Sequence, residues 1–168
     1  ARVQCVGWGH PVTSGLSSID YFISSELLED ADIEHAQSYY RETLWRLSLP
    51  PTYLYPVQKP VPDNGPDLSF AEGKTLYVCL QSLFKIHPDF DEVLGKILNK
   101  DKKGILYFIK DVDKTYYKKL LERFKKNKYL DLDRIKFIDG LTWEGYINHC
   151  GKASVLLDPF YFGAGNSF

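Results

Sequence analysis

The sequence has no methionine, only three cysteines, almost no net charge and no long apolar run. Lys and Arg number 21 against 22 Asp and Glu, which argues against a general binder of nucleic acids or of anionic membranes. Cys5, Cys79 and Cys150 form no C-x-x-C pair, so neither a disulfide framework nor a zinc knuckle is indicated. We therefore expect a reduced, cytoplasmic protein. No apolar run approaches the roughly 20 residues that a membrane-spanning helix needs, and we expect no membrane association.

Prolines divide the chain into two unequal parts. Six of the nine lie between Pro50 and Pro66, where they remove backbone donors and disfavour helix at each preceding residue. We predict an extended linker over residues 50–74, a short part over 1–49 and a longer part over 75–168. Because the chain lacks an initiator methionine, we expect it to be a piece of a larger protein, with the second domain truncated.

The longer part alternates strand-like and helix-like segments. Apolar runs rich in β-formers predict four strands, and apolar residues at helical spacing predict three amphipathic helices between them. This alternation is typical of right-handed β-α-β crossovers and a Rossmann-like parallel sheet with flanking helices. The predicted strands are 75–80, Gly104–Ile109, 134–138 and 154–157. The helices are marked by apolar positions within 90–98, 117–124 and 143–150.

The short part has the pattern of the last β-α units of a preceding α/β domain. We predict strands over 3–8 and 19–24, a loop over 9–15 between them, and a helix over about 36–47.

In open α/β sheets, ligands bind beyond the carboxyl ends of the strands, and three predicted loops meet that condition. Lys85, in the loop after the first strand, can place a point charge against a phosphate, although a surface lysine is the simpler reading. In the 139–146 loop, Thr142 can cap the next helix. Trp143 or Tyr146 can stack on a base, unless both rings belong to the core with which they share a helical stripe.

The third loop, 162–167, has two glycines that let a ligand approach the backbone, and Asn166 or Ser167 would begin the next helix. This G-x-G is neither the G-x-G-x-x-G dinucleotide fingerprint nor a P-loop.

The four histidines show no metal-ligand spacing, and no G-x-S-x-G elbow of a hydrolase occurs. The seven basic residues of 114–128 lie between members of an apolar stripe, which favours a solvated helix face over nucleic-acid contact.

Four segments together resemble the catalytic region of the O-linked N-acetylglucosamine transferase family, in particular its bacterial, Spindly-like members fused to tetratricopeptide repeats. The segments are VQCVGWGHPVTSGL (3–16), IDYFISSELLE (19–29), CLQSLFKIHPDFDEVL (79–94) and LLDPFYFGAGNS (156–167). The resemblance implies a GT-B-type α/β fold, in which two Rossmann-like domains enclose a nucleotide-sugar. Residues 1–49 would then end the N-terminal catalytic domain, and 75–168 would begin the C-terminal, nucleotide-binding domain.

The resemblance also implies roles for individual residues. Lys85 matches the family lysine on the donor diphosphate, where it would offset charge on the leaving nucleotide as a catalytic residue. His10 would orient the sugar or assist proton transfer, or would be purely structural. Trp143 stands where animal members carry a lysine near the uridine, and here the chain departs from the family pattern. The remaining matched positions imply substrate binding: Gly9 and Pro11 at the sugar end, Gln81, Ser82 and Tyr146 at the nucleotide, and Gly165, Asn166 and Ser167 at the phosphates.

The implied reaction is inverting transfer of N-acetylglucosamine from UDP-N-acetylglucosamine to protein Ser or Thr hydroxyls, without a metal or other cofactor. The acceptor protein would bind through repeats outside this chain, which alone is expected to be inactive. The alternatives are a protein O-fucosyltransferase that uses GDP-fucose, a non-catalytic nucleotide-binding module, and an interaction fragment with a decayed pocket.

Overall fold

The structure is a computed structural model that describes residues 1–7, 9, 12–55 and 67–164. The chain forms two compact units, Ala1–Pro56 and Val57–Phe168. The boundary between them lies inside the segment predicted as a linker. Each unit is described by itself.

The first unit is built on a three-stranded parallel sheet. Its strands are β1 (Cys5–Gly7), β2 (Tyr21–Ser25) and β3 (Thr43–Leu47), in the order β1-β2-β3. Helix α1 (Ile33–Ser38) lies between β2 and β3 in the chain. It begins after Asp32, whose carboxylate accepts hydrogen bonds from the backbone N–H groups of Glu34 and His35 at 3.0 and 3.1 Å.

The helix predicted over 36–47 is wrong in its second half, because residues 43–47 form β3. Phe22 of β2 is paired with Leu44, and Ile23 with Trp45. The ring of Trp45 also meets that of Tyr21 edge-on, with centroids 5.7 Å apart. Pairing with a strand about 20 residues earlier thus decides the conformation of this segment over its local pattern.

The second unit has a four-stranded sheet that is parallel throughout, in the order β6-β5-β4-β7. Its strands are β4 (Thr75–Cys79), β5 (Gly104–Ile109), β6 (Ile135–Ile138) and β7 (Val155–Leu156). The helices are α2 (Pro88–Lys100), α3 (Thr115–Lys126) and α4 (Trp143–Lys152). All seven elements predicted over 75–157 are therefore present.

The order of the strands places helices on both faces of this sheet. After β4 the chain adds β5 and β6 on one side and then returns to add β7 on the other. Right-handed crossovers in opposite directions along a sheet lie on opposite faces, so α4 is separated from α2 and α3. Two clusters of buried residues reflect this: Leu94 and Phe124, from α2 and α3, belong to one, and Ala153 at the end of α4 packs against the other.

Helix α4 faces the sheet through different residues from those predicted. Its buried residues are Gly145 and His149, whereas Trp143 is 60% exposed, so the alternative that placed both aromatic rings in the core is wrong for Trp143. Nδ1 of His149 donates to the carbonyl of Gly145 at 2.6 Å, and Nε2 lies within hydrogen-bond distance of the Tyr107 hydroxyl, at 2.8 Å. These two bonds make a buried histidine a structural residue.

The end of the segment predicted as a linker folds onto the second unit. Residues Ser69–Ala71 form a 3₁₀ turn, and the Phe70 ring stacks on that of Tyr107 with centroids 5.9 Å apart. Among the described residues, no helix is long and apolar enough to cross a membrane.

Candidate phosphate-binding site

The most promising site in the second unit lies where β4 and β7 end side by side. Val78 of β4 is paired with Leu156 of β7, and because the strands are parallel, their carboxyl ends meet at one edge of the sheet. The chain leaves β4 toward β5 and later crosses back past β4 to form β7. The loops that follow β4 and β7 therefore lie side by side at the edge of the sheet where open α/β sheets bind their ligands.

The loop after β4 is anchored by apolar residues and presents a lysine. Leu83 begins the 3₁₀ turn Leu83–Lys85 and Ile86 follows it, and both are buried. The Lys85 amide closes the turn by donating to the Ser82 carbonyl at 2.9 Å. The half-buried Lys85 is therefore held by a turn whose neighbours belong to the core.

The ammonium of Lys85 joins the loops after β4 and β7. Its Nζ donates to Oε1 of Gln81 at 2.9 Å and to the carbonyl of Gly163 at 3.2 Å. It also lies 4.6 Å from the centre of the Phe162 ring, a cation–π distance. The structure thus brings Lys85, Gln81 and Gly163 of the glycine loop together, and their contact with a nucleotide stays a prediction.

Gln81 and Ser82 differ in what they offer to a ligand. Gln81 is buried and uses its side-chain oxygen to hold Lys85, whereas Ser82 is exposed. Just before them, burial raises the pKa of the Cys79 thiol to about 11, so this residue is a poor nucleophile. The loop after β4 therefore offers one positioned cation and no activated nucleophile among these residues.

The loop after β7 is folded tightly on itself. A Cβ atom at Gly163 would lie 2.7 Å from Oδ2 of Asp158, so a side chain there would displace the Asp158 carboxylate. The segment that follows contains Gly165, Asn166 and Ser167, which lie outside the described residues.

The carboxyl ends of β5 and β6 carry charges that the sequence reasoning did not select. Nζ of Lys110 lies 3.3 Å from Oδ1 of Asp139, and this hydrogen bond lowers the pKa of the Asp139 carboxyl. The Asp111 carboxylate accepts from the backbone N–H groups of Tyr116 and Tyr117 at 2.9 and 2.7 Å. The charged side chains at the ends of β5 and β6 therefore already have partners within the protein. Their position directly after two buried strands is the sequence feature that could have identified them.

Helix α4 begins as the sequence predicts. The hydroxyl oxygen of Thr142 accepts from the backbone N–H of Gly145 at 3.1 Å and caps the helix. The exposed ring of Trp143 and the half-buried ring of Tyr146 follow in the first turn. Contact of Tyr146 with a base stays a prediction.

In the first unit, the candidate loop after β1 is tied to the start of β3 by Glu42. The carboxylate of this buried residue accepts from the Thr13 hydroxyl at 2.5 Å and from both the backbone N–H and the hydroxyl of Ser14. Hydrogen bonds from Ser14 and Thr13 lower the pKa of Glu42 to about 2. Gly9 is exposed, and His10 and Pro11 lie outside the described residues. Sequence reasoning missed Glu42, because a single glutamate carries no sign of its burial.

The described residues contain no group of three or more His, Cys, Asp or Glu side chains that could hold a metal ion.

Comparisons with known proteins find similarity in fold rather than in sequence. No protein-family model matches the sequence, and no curated protein does either. The structure is similar to that of a mutant of the Thermobaculum terrenum O-GlcNAc transferase, with a TM-score of 0.77 and 20% sequence identity. The match covers 98% of this chain and 30% of that one, so the chain spans less than a third of that enzyme. The fold expected from the sequence motifs, a GT-B-type α/β fragment with parallel sheets and flanking helices, is thereby confirmed.

Proposed function

We propose that this chain is part of a cytoplasmic, inverting protein O-glycosyltransferase that transfers N-acetylglucosamine from UDP-N-acetylglucosamine to Ser or Thr. The observation that carries the proposal is the contact of the Lys85 ammonium with both loops that follow β4 and β7. The similarity to a solved O-GlcNAc transferase supports the glycosyltransferase fold, and the sequence motifs support the donor. The three free cysteines agree with a reducing compartment.

The role of Lys85 follows from the chemistry of the leaving group. Breaking the bond between the sugar and the diphosphate places negative charge on the nucleotide, and a fixed ammonium stabilises that charge. Gln81 and Gly163 accept two of the three N–H groups of Lys85 and so fix its direction. The third N–H can then meet a phosphate oxygen without a large loss of side-chain freedom.

The other roles in the proposal come from the resemblance. Asn166 and Ser167, after Gly165, would bind the phosphates. Tyr146 and Ser82 would contact the nucleotide, and Gly9, His10 and Pro11 would line the sugar end. The acceptor protein would bind through repeats outside this chain.

Calorimetric titration of the chain with UDP, and separately with GDP, tests the proposal. We expect UDP to bind, and Lys85→Ala to weaken it about 10- to 100-fold, the effect of losing one charge-assisted hydrogen bond. The control is Lys96→Ala, which removes an exposed lysine of the same unit that pairs with Glu92 across one turn of α2.

The outcomes separate the alternatives. A preference for GDP would favour the fucosyltransferase. Equal affinity of the wild type and Lys85→Ala would count against the site, and absence of nucleotide binding in a folded sample would support a decayed pocket. A longer protein that contains this chain and binds UDP-sugar, yet transfers nothing to any peptide, would be a nucleotide-binding module.

A further inference from the structure

Tyr161, in the loop after β7, combines an unfavourable backbone with an exposed side chain. Its φ of +69° lies in the left-handed region, which residues with a Cβ atom rarely adopt. The side chain is 79% exposed, so burial in a core does not hold it there. The backbone N–H of Phe162 donates to the carbonyl of Phe160 at 2.9 Å, which closes a tight turn centred on Tyr161.

One hydrogen bond and one ring contact connect Tyr161 to the beginning of α2. Its hydroxyl donates to Oδ2 of Asp89 at 2.7 Å, across 72 residues of sequence. Its ring meets that of His87 edge-on, with centroids 4.8 Å apart. His87 is itself fixed, because it caps α2 by accepting from the backbone N–H of Asp89. The partner of Tyr161 is therefore a rigid helix terminus.

The neighbours of Tyr161 connect the same loop to the core and to Lys85. Before it, the ring of Phe160 packs edge-on against that of Phe90, which is buried on α2. After it, Phe162 places its ring beneath the Lys85 ammonium, and Gly163 accepts a hydrogen bond from that ammonium. Tyr161 thus lies between the attachment of the loop to α2 and its contacts with Lys85, only two residues from Gly163.

We infer that Tyr161 is a positioning residue for the phosphate site: its hydrogen bond to Asp89 holds the loop after β7 where Gly163 and Phe162 fix the Lys85 ammonium. This inference rests on the proposed function, since it concerns the same lysine. A movement at Tyr161 reaches Gly163 through two peptide units, and it would leave Lys85 fixed by Gln81 alone. Tyr161 itself makes no contact with the nucleotide in this scheme.

The first test measures the loop without a nucleotide. Tyr161→Phe removes the hydroxyl and keeps the ring, so we expect acetylation of Lys85 by a soluble acylating reagent, followed by mass spectrometry, to become severalfold faster. The acetylation rate of Lys96 is the internal reference. Tyr129→Phe, at another exposed tyrosine of the same unit, should leave the Lys85 rate unchanged. An unchanged Lys85 rate in Tyr161→Phe would overturn the inference.

The second test measures binding. We expect Tyr161→Phe and Asp89→Ala each to weaken UDP about three- to tenfold, the effect of one lost hydrogen bond, and to leave uridine affinity and the thermal unfolding midpoint unchanged. Asp89→Asn keeps an oxygen acceptor and should retain most of the UDP affinity. A general loss of structure would instead lower the affinities for UDP and uridine together, and that result would overturn the positioning role.

The two proposals fail in different ways. UDP binding that depends on Lys85 but not on Tyr161 would overturn the positioning role and leave the proposed function in place. Equal UDP affinity of the wild type and Lys85→Ala would overturn both the phosphate contact of Lys85 and the positioning role of Tyr161. This holds even if Tyr161 still controls the acetylation of Lys85.

Discussion

At the scale of single residues, Glu42 has the clearest dependence on pH. It is buried at the start of β3, and its carboxylate is the shared acceptor of Thr13 and Ser14. These hydrogen bonds favour the ionised form, so the pKa of Glu42 falls from 4.5 to about 2. A carboxyl whose pKa is lower in the folded protein stabilises it above the pKa of the unfolded chain.

We therefore expect Glu42 to stabilise the first unit at neutral pH, and this contribution to disappear as the pH falls from about 4.5 to about 2. Urea unfolding of the wild type and of Glu42→Gln over that range measures it. The variant should be less stable at pH 7, and the difference should vanish toward pH 2. Glu34→Gln, at an exposed glutamate of α1, is the matched control. A difference between wild type and variant that does not change with pH would contradict the assignment.

The residues that sequence reasoning selected or missed follow a physical pattern. The position of Lys85 after a buried strand makes it a candidate for a phosphate contact, although a surface lysine is the simpler reading, and the resemblance of its motif selects it. Gly163 was found as a member of a glycine loop, but its carbonyl contact with Lys85 spans 78 residues. Glu42 and Tyr161 were missed, because the partners that give them a role are far away in the sequence.

At the scale of elements, α2 and α3 are joined by a buried ion pair between Asp91 and Arg123. Nε and Nη2 of Arg123 donate to the two carboxylate oxygens at 2.8 Å each, and Nη2 also donates to the carbonyl of Ile86 at 2.9 Å. Burial raises the pKa of Asp91, although Arg123 opposes that effect. The side chain of Arg123 is 31% exposed and that of Asp91 only 8%, so the carboxylate depends more on its partner.

This asymmetry predicts unequal costs for the two halves of the pair. Arg123→Met leaves a buried carboxylate without its cation and should lower the free energy of unfolding by about 3–5 kcal/mol. Asp91→Asn leaves a guanidinium that can reach water, and it should cost only about 1–3 kcal/mol. Urea titration measures both. Lys125→Met, at an exposed ion pair of α3, should cost less than about 1 kcal/mol. A larger loss for Asp91→Asn than for Arg123→Met would contradict this account.

Elements were predictable wherever a segment's own pattern decides its structure. The strands and helices of 75–157 follow from apolar runs and helical spacing. Strand β3 does not, because its pairing with β2 decides its conformation. The face that α4 turns toward the sheet could not be predicted either. Gly145 carries no apolar side chain, and His149 is stabilised by Tyr107, 42 residues away.

At the scale of the whole molecule, the two units differ in the size of their cores. Among the described residues of the first unit, Phe22 and Ala36 are the buried apolar side chains, whereas the second unit has a cluster of buried residues on each face of its sheet. A small core protects backbone hydrogen bonds less well, because little apolar burial opposes local opening.

We expect backbone amides of β1 to β3 to exchange with deuterium faster than those of β4 and β5. Hydrogen exchange of the intact chain under native conditions, followed by digestion and mass spectrometry, measures both sheets in one sample. Equal protection of the two sheets, or slower exchange in the first, would show that burial within each unit does not set its stability.

The position of β7 has a consequence for how the chain reaches this structure. Strand β4 borders β5, which follows it closely, but its other edge is covered only when Ser154 and Leu157 donate hydrogen bonds to the carbonyls of Leu76 and Val78. Closing so long a loop costs chain entropy, so we expect the contacts of Lys85 with Gly163 and Phe162 to form late in folding. Until then the second edge of β4 is unpaired, and a chain interrupted during synthesis before β7 would expose it to aggregation.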